Sequence, residues 1–398
     1  MSENVYLITL MENRICSFLM QDGRATEIHR DSDETDKIML GDIYIGKVKN
    51  IAKQLDAAFV EIAPGHVCYL AMKDLRTPIY TKKGSSKKLQ AGDELLVQIS
   101  RERIKSKYPS VTTNVTLHGK YVLLTSGNLC ISVSSKIDKM ERERLSGWMK
   151  EIDSEIQPSD GERSFGWLLR TNAKDASQER IRSDALRLAM QYKALISQAG
   201  YRTCFSCLMR TPPQYLVRLQ NLYSDDAKRI ITDDQTLFDE IYAYLSQYQK
   251  EDTGKLELYH DRLLPMQKLY SLEKQLALAF SEKVWLKSGG YLVIQPTEAL
   301  TSIDVNTGKY DGGKNQEASF LKINREAAIE IAHQLRLRNL SGIIIVDFIN
   351  MKQKESVREL LTLLDGELKK DPVPTKLIDM TKLSLVEITR MKREKPLS

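Results

Sequence analysis

The sequence of 398 residues has few cysteines and no long apolar run. No stretch approaches the ~18 consecutive apolar residues of a membrane helix. The N-terminal "MSENVYLITLMENR" lacks the basic-then-apolar order of a signal peptide. Five scattered cysteines, an odd number, argue against a disulfide framework. We therefore expect a protein of the reducing cytoplasm without a membrane span.

Neither sign of charge dominates, because 59 Lys and Arg face 53 acidic residues and leave a net charge of +6. This excess permits an anionic partner without requiring one. A hydrophobic fraction of 42% and a charged fraction of 28% are typical of a globular protein of two to four domains. Cys204 and Cys207, in "CFSC", fit half a zinc site or a redox motif, but no second pair exists, so we interpret them as two thiols near a strand.

Short β-rich segments fill residues 38–125. Five of them fit a small barrel such as an OB-fold; they are "DIYIGKVKNI", "DAAFVEI", "VCYLAM", "ELLVQIS" and "KYVLLT". Residues 82–107 carry eight basic and three acidic residues. Small barrels bind single-stranded nucleic acid through a basic groove and aromatic platforms. Phe59 and Tyr69, on adjacent predicted strands, are candidates for such a platform, and a solvated loop with core aromatics is the alternative.

Residues 126–216 combine strands with two amphipathic helices, "ERERLSGWMKEIDSEI" and "ASQERIRSDALRLAMQYKALISQ". Between them, "GWLLRTNAKD" predicts a strand that ends at Arg170 and Thr171. An arginine beside a hydroxyl suits phosphate binding, and it equally suits a plain surface position. Residues 217–280 and the first 35 residues are each too small for a domain, so we consider that they pair across the intervening modules.

The stretch "TSIDVNTGKYD" places Asp304 and Asn306 at the end of a strand that we predict to be buried. The following "EASFLKINREAAIEIAHQLRLR" has helical spacing, and "GIIIVDF" indicates a buried parallel strand that ends at Asp347. Strands joined by a crossover helix pair in parallel, and function gathers at their carboxyl ends. We therefore expect Asp304 and Asp347, 43 residues apart, at one sheet edge, with Asn306 beside Asp304.

Two adjacent carboxylates repel each other unless a cation lies between them. Oxygen ligands select hard ions such as Mg²⁺, which polarise a phosphoryl oxygen and supply a hydroxide. The alternative is a structural role in which Asp304 caps the loop and Asp347 pairs with Arg336 or Arg338, and the residues alone leave both interpretations open. Basic residues frame this edge and favour single-stranded nucleic acid as the substrate; they are Lys309, Lys314, Lys322, Arg325, Lys382 and Arg390.

Over essentially its whole length, the sequence resembles the bacterial ribonuclease E/G family. The resemblance rests on "EALTSIDVN", "IAHQLRLRN" and "GIIIVDF", with "GDIYIGKVKNI" and "TKLSLVEITR" in the same order. It implies an α+β multidomain fold. An RNase H-like domain (1–36 with 217–280) would be interrupted by an S1-like OB-fold barrel that binds RNA (37–125) and by an α/β 5′-sensor (126–216). A DNase I-like α/β catalytic domain (281–398) would follow.

The resemblance also implies a metal-dependent endoribonuclease that leaves 5′-phosphate and 3′-hydroxyl ends in RNA processing and decay. Asp304 and Asp347 would hold Mg²⁺, with Mn²⁺ as the alternative, and Asn306 would support the first carboxylate. Arg170 and Thr171 match the pocket for a 5′-monophosphate. The expected RNA-binding residues are Phe59, Tyr69, Arg101, Lys107 and Lys382.

The sequence departs from the family pattern in three places. No cysteine follows the nuclease segment, so we expect no zinc site, and a homodimer without that zinc link stays open. Asn350 stands in "DFINM" where many relatives have a second acid. The 5′-sensor segment is the most diverged. A non-catalytic RNA-binding regulator with the same fold and a nuclease acting on DNA are the alternative functions.

Overall fold

The computed structural model describes residues 4–31, 38–86, 88–101, 108–157, 163–222, 227–308, 316–392 and 396–397. Within them the strands are β1 (Val5–Met11), β2 (Arg14–Gln21), β3 (Arg24–Arg30), β4 (Ile43–Ala52), β5 (Ala57–Ala63), β6 (His66–Ala71), β7 (Tyr80–Lys82), β8 (Glu94–Arg101), β9 (Ser110–Thr112), β10 (Thr116–His118), β11 (Val122–Thr125), β12 (Ile131–Val133), β13 (Gly166–Leu169), β14 (Cys207–Met209), β15 (Arg229–Thr232), β16 (Leu256–Leu258), β17 (Lys283–Trp285), β18 (Tyr291–Pro296), β19 (Leu300–Asn306), β20 (Gly342–Asp347), β21 (Thr375–Met380) and β22 (Leu385–Arg390).

The α-helices of the same residues are α1 (Lys139–Ile156), α2 (Gln178–Ala199), α3 (Gln214–Asn221), α4 (Gln235–Tyr248), α5 (Met266–Leu269), α6 (Leu272–Phe280), α7 (Gln316–Leu337) and α8 (Lys354–Leu368). No helix in this part of the chain combines the length and the apolarity that a membrane crossing requires. The chain divides into two compact units. The terminal unit contains residues 1–32, 224–243 and 252–398, and the barrel unit contains residues 33–223 and 244–251.

The barrel unit contains a closed five-stranded barrel. Its strands follow the order β4-β5-β6-β9-β8, and β8 pairs back onto β4. Alternate residues of β5, such as Val60 and Ile62, are fully buried in the interior, as expected for a half-buried strand. This mixed α+β structure with a closed barrel is consistent with an OB-like domain. The segment "KYVLLT", which we expected to be the fifth barrel strand, instead forms β11 of a separate sheet.

That second sheet of the barrel unit has the order β10-β11-β13-β12. Helices α1 and α2 cover it, and Phe165, Trp167 and Tyr192 pack in the shared core. Both helices begin at side-chain caps, Asp138 accepting from the Glu141 N–H and Ser177 accepting from the Arg180 N–H. Strand β13, which is directly followed by Arg170, therefore belongs to a packed two-layer structure of sheet and helices.

The terminal unit begins with a five-stranded sheet in the order β16-β15-β1-β2-β3. The first strand pairs in parallel with β15, Val5 lying opposite Arg229, and antiparallel with β2. Two segments that were each too small for a domain therefore share one sheet. The turn "DGR" joins β2 to β3 with positive φ angles at Asp22 (50°) and Gly23 (76°), the backbone that such tight hairpins require.

The other sheet of the terminal unit has the order β17-β18-β19-β20-β22-β21. Helices α7 and α8 pack on one face, and Ile323, Ile331 and Leu364 are fully buried there. Our prediction that "GIIIVDF" is buried on both faces is wrong, since Ile343 of β20 is 55% exposed. The helices cover only one face, so alternate residues of each strand face outward. We call this second face the open face.

A polar layer joins α7 to β3. Glu330 accepts from Arg24, His333 bonds the Ala25 carbonyl oxygen at 2.9 Å, and Arg336 donates to Glu27 at 2.7 Å. Burial works to raise the pKa of Glu330, but hydrogen bonds and charge from His333 and Arg24 outweigh it and lower that pKa to about 2. The helix that supports the open face is thus anchored by an ionised carboxylate.

Candidate active site

Asp304 and Asp347 lie directly opposite each other on the parallel strands β19 and β20. Neighbouring strands are about 4.8 Å apart, so both carboxylates project side by side from the open face. The Asn306 Nδ2 donates to Asp304 Oδ2 at 2.6 Å. The strand ends thus bring together the three residues that the sequence analysis singled out.

Asp304 is exposed, so our prediction that the strand ending here is buried is wrong for this face of the strand. Strand β19 alternates, with Ile303 and Val305 buried against the helices. Asp304 and Asn306 lie on the opposite face of the strand. The end of β19 is apolar only on the side that faces the helices. Because Asp304 is on the solvent side, its charge does not require a buried cation.

The structure does not show the alternative ion pair between Asp347 and Arg336 or Arg338, because both arginines have other partners. Arg336 pairs with Glu27, and the Arg338 Nε donates to Gln334 at 2.6 Å. Within the described ranges, neither Asp304 nor Asp347 forms an ion pair, and the Asn306 amide is the hydrogen-bond partner of Asp304. Two adjacent carboxylates without a neutralising cation in the described part of the chain favour a bound metal over a structural pair.

Two glycines allow the turn between β17 and β18 to approach the backbone at the end of β19 closely. A Cβ on Gly290 would lie 2.8 Å from the Asn306 carbonyl oxygen. Gly308 has a φ of +65°, and a Cβ there would clash with the Gly289 carbonyl oxygen. The turn between β17 and β18 therefore packs directly on the backbone at Asn306, which fixes the position of its side chain.

Asn324 is a positioning residue that the sequence analysis missed. It is fully buried on α7, its Nδ2 donates to the Ile349 carbonyl oxygen at 2.8 Å, and its Oδ1 accepts from the Ile349 N–H at 3.1 Å. These two bonds hold the segment that begins directly after Asp347. The available signal was a polar residue on the apolar face of "FLKINREAAIEIA". Asn350, in the same segment, is exposed.

The donor chemistry fits a hard divalent ion. Mg²⁺ keeps several waters and binds through one or two protein carboxylates, and Asp304 and Asp347 are both exposed on the open face. No group of three or more His, Cys, Asp or Glu residues with metal-binding geometry occurs in the described ranges. The residues present thus suit a water-rich Mg²⁺ or Mn²⁺ site.

The basic residues expected around the acids have different positions. Lys382 is exposed in the β21–β22 turn, at the end of the sheet where Leu385 faces Asp347. Arg390 is instead 3% exposed and pairs with Asp371 at 2.7 Å, and Arg325 pairs with Glu359 on the helical layer. We correct both, because neither faces the acids. Lys322 is on the same helix as Arg325, and Lys309 and Lys314 lie outside the described residues.

Three of the proposed contact residues form one row across the barrel. Phe59 lies opposite Tyr69, Tyr69 opposite Ser110, and Ser110 opposite Arg101. Directly opposed residues share a face, so both rings and the exposed guanidinium lie on one surface, which we call the barrel row. Lys107 lies outside the described residues.

Tyr108 extends the barrel row and was missed from the sequence. Its ring is 57% exposed and lies edge-to-face with Phe59 at 5.6 Å between centroids, while Phe59 and Tyr69 are 6.2 Å apart. The Tyr69 N–H donates to the Pro109 carbonyl oxygen at 2.8 Å, which places Tyr108 there. The signal was an aromatic directly after the basic run that ends at Lys107.

Arg170 and Thr171 lie together at the end of β13. The Arg170 guanidinium donates to the Gly119 carbonyl oxygen at 2.7 Å and to Asn221 Oδ1 at 2.5 Å. The Thr171 hydroxyl is 3.0 Å from the Ser134 hydroxyl. Both residues are half-buried, so the arginine is held in one orientation while part of it still contacts solvent.

Cys204 and Cys207 are half-buried beside β4. Burial is the main cause that raises the pKa of both thiols, so both are protonated at neutral pH. The Cys204 Sγ contacts the Ile45 carbonyl oxygen at 3.9 Å, and the Cys207 Sγ contacts that of Met209 at 3.5 Å. Protonated thiols are poor metal ligands and nucleophiles.

Comparison with known proteins identifies similar sequences. The model of the "Ribonuclease E/G family" matches residues 116–393. Ribonuclease G of Haemophilus influenzae is 30% identical over 403 residues, covering 98% of this chain and 79% of the relative. Ribonuclease G of Escherichia coli (strain K12) is 32% identical, covering 96% and 78%. Ribonuclease E of Nostoc sp. is 33% identical, covering 89% and 51%. The family match includes the acid pair and Arg170.

Proposed function

The chain belongs to the ribonuclease E/G family and is an endoribonuclease, and we propose that it cleaves single-stranded RNA at Asp304 and Asp347 with a divalent metal ion. One observation carries the proposal, namely the direct register of the two acids, with Asn306 bonded to the first. This role belongs to RNA processing and decay. The open face suits an extended strand, because the acids are reached without opening the fold.

The two carboxylates would hold Mg²⁺ through their oxygens, with Mn²⁺ as the alternative. When bound, the ion polarises the phosphoryl oxygen and supplies a hydroxide nucleophile near neutral pH. Asn306 donates to Oδ2 of Asp304 and so restrains the carboxylate rotamer, which would help Asp304 to hold the ion. Attack of a hydroxide on phosphorus would break the P–O3′ bond, and the leaving 3′ oxygen would take up a proton from water, which gives the 5′-phosphate and 3′-hydroxyl ends.

The barrel unit would bind the RNA strand. Phe59 and Tyr69 would stack bases, a sequence-tolerant contact, while Arg101 would pair with a phosphate. The barrel row supports this role because it combines two partly exposed rings and a cation on one surface. Lys107 and Lys382 complete the proposed set of phosphate contacts.

Arg170 and Thr171 would bind a terminal 5′-monophosphate and give a preference for monophosphorylated RNA. The support is the fixed guanidinium, held by Gly119 and Asn221, beside a hydroxyl. A pre-oriented arginine loses little freedom when it binds a phosphate bidentately. The accompanying domain proposal assigns 1–36 with 217–280 to an RNase H-like domain, 37–125 to the OB-fold, 126–216 to the sensor and 281–398 to a DNase I-like domain.

The test is cleavage of a 5′-monophosphorylated, end-labelled single-stranded RNA in Mg²⁺ by the wild type, Asp304→Asn and Asp347→Asn. Glu355→Gln, an exposed acid on α8, is the matched control. If the wild type and the control cleave the RNA and the two Asp variants do not, the assignment of Asp304 and Asp347 to the cleavage site is supported. If both Asp variants cut as fast as the wild type, the site is wrong. RNA binding that needs no metal, without any cleavage, would instead favour the RNA-binding regulator. Faster cleavage of a matched single-stranded DNA than of the RNA would favour a DNA-acting nuclease.

A further inference from the structure

Two aromatic side chains stand on the open face beside the acids. Trp285 of β17 is 64% exposed and lies opposite Tyr291 of β18, with ring centroids 5.3 Å apart and ring planes at 59°. Tyr291 in turn lies directly opposite Asn306. A single exposed ring is common on protein surfaces, but two paired rings beside an acid pair form a contiguous apolar patch rimmed by polar groups, which is typical of a binding surface.

Lys283 adds a positive charge to this pair. Its Nζ lies 4.2 Å from the Trp285 ring centroid and 3.6 Å from that of Tyr291. Lys283 also belongs to the row of Asp304, because both lie opposite Val293. The two rings and the ammonium therefore form one cluster, the aromatic platform, about 5 to 10 Å from the residues of the acid site by strand spacing.

We propose that the aromatic platform stacks a base of the RNA strand next to the phosphate that is cut, with Lys283 contacting the adjoining phosphate. This inference rests on the proposed function. Charge complementarity favours a nucleic acid, because a cation on paired rings suits a base flanked by phosphates. On binding, the ammonium leaves the ring faces and pairs with the backbone. The platform would hold the strand in register with the acids and contribute mainly to affinity.

Fluorescence offers a direct reading of this contact. Of the three tryptophans, Trp167 is 1% exposed and Trp148 is half-buried under Arg144, whereas Trp285 is open to solvent. The full chain in EDTA is titrated with a 5′-hydroxyl oligoribonucleotide, which excludes cleavage and a 5′-phosphate contact. We expect quenching that persists in Trp148→Phe and disappears in Trp285→Phe.

Binding and kinetics complete the test. Trp285→Ala and Tyr291→Ala should each weaken binding and raise KM about tenfold, with little change in kcat. Trp285→Phe keeps a ring and should bind as the wild type does, which also guards against a misfolded alanine variant. Tyr201→Ala, at an exposed aromatic elsewhere, is the control. An oligonucleotide with one abasic position, moved along the strand, should lose affinity for the wild type at the position stacked on the platform, and Trp285→Ala should not show that loss. Losses at positions stacked on the barrel row should be the same in both proteins.

Unchanged RNA affinity and KM in both alanine variants would overturn the platform while leaving cleavage by the wild type intact. Failure of the wild type to cleave the same RNA in Mg²⁺ would instead overturn the proposed function. A concentration-dependent change in mass that Trp285→Ala abolishes, together with unchanged RNA affinity, would assign the platform to contact between two copies of the chain.

Discussion

The open face and the barrel row are built by the same rule and have different chemistry. On the open face a cross-strand row brings two carboxylates together, Asp304 beside Asp347. On the barrel another row brings two rings into line with Arg101. Register alone makes both clusters, because opposed residues on neighbouring strands share a face. The two rows differ in their chemistry. The acids can hold a metal ion for cleavage, whereas the rings and the guanidinium can bind RNA but cannot cut it.

The largest effect is expected at the acid pair. Asp347→Asn removes one metal-binding carboxylate and should lower kcat on the order of 10³-fold, because the charge stabilisation by the ion is lost. RNA affinity in EDTA should stay within about twofold, as the binding surfaces are untouched. Single-turnover cleavage and a filter-binding titration check the two parts. If RNA affinity fell as much as kcat, Asp347 would act in RNA binding, as the barrel row does, and not in catalysis.

Asn306 should give the next largest effect. Asn306→Ala frees the Asp304 carboxylate to rotate, and groups that orient a metal ligand typically matter about 10- to 100-fold. Higher Mg²⁺ should restore part of the rate, because the lost property is metal affinity. A Mg²⁺ titration of the cleavage rate measures this. A rate deficit that no Mg²⁺ concentration reduces would show that Asn306 acts on the substrate instead.

The barrel row should affect binding alone. Phe59→Ala or Tyr69→Ala removes a stacking surface and should raise KM about tenfold, while kcat changes little. Tyr108→Ala should give a smaller rise, because Tyr108 contacts Phe59 from the edge of the row. Leu263→Ala, at a side chain that is 97% exposed in the terminal unit, is the control. A fall in kcat at constant KM would assign the rings a role in catalysis.

Periodicity and chain order could predict much of this fold. The segment "ASQERIRSDALRLAMQYKALISQ" agrees with α2 to within two residues, and the crossover helix between two strands placed Asp304 beside Asp347. Exposure could not be predicted, because an apolar run such as "GIIIVDF" has the same pattern whether one face or both are covered. Contacts set by distant register, such as Tyr291 with Asn306 or Tyr69 with Pro109, leave no local signal.

The smallest effect concerns the support of the open face under acid. The folded pKa of Glu330 is about 2, below its ordinary value of 4.5, so its contribution to stability is present above about pH 4.5 and is lost as the pH falls toward 2. Glu330→Gln should therefore lower the free energy of unfolding most at pH 6. The difference from the wild type should shrink between pH 4.5 and 2.

Urea unfolding at several pH values measures this difference, with Glu355→Gln as the control that should show little change at any pH. The barrel row offers the comparison, because Phe59 and Tyr69 lie opposite each other and are in edge-to-face ring contact, which does not depend on an ionised carboxylate. A difference for Glu330→Gln that stays constant from pH 6 to pH 2 would mean that the carboxylate acts through packing and not through its charge.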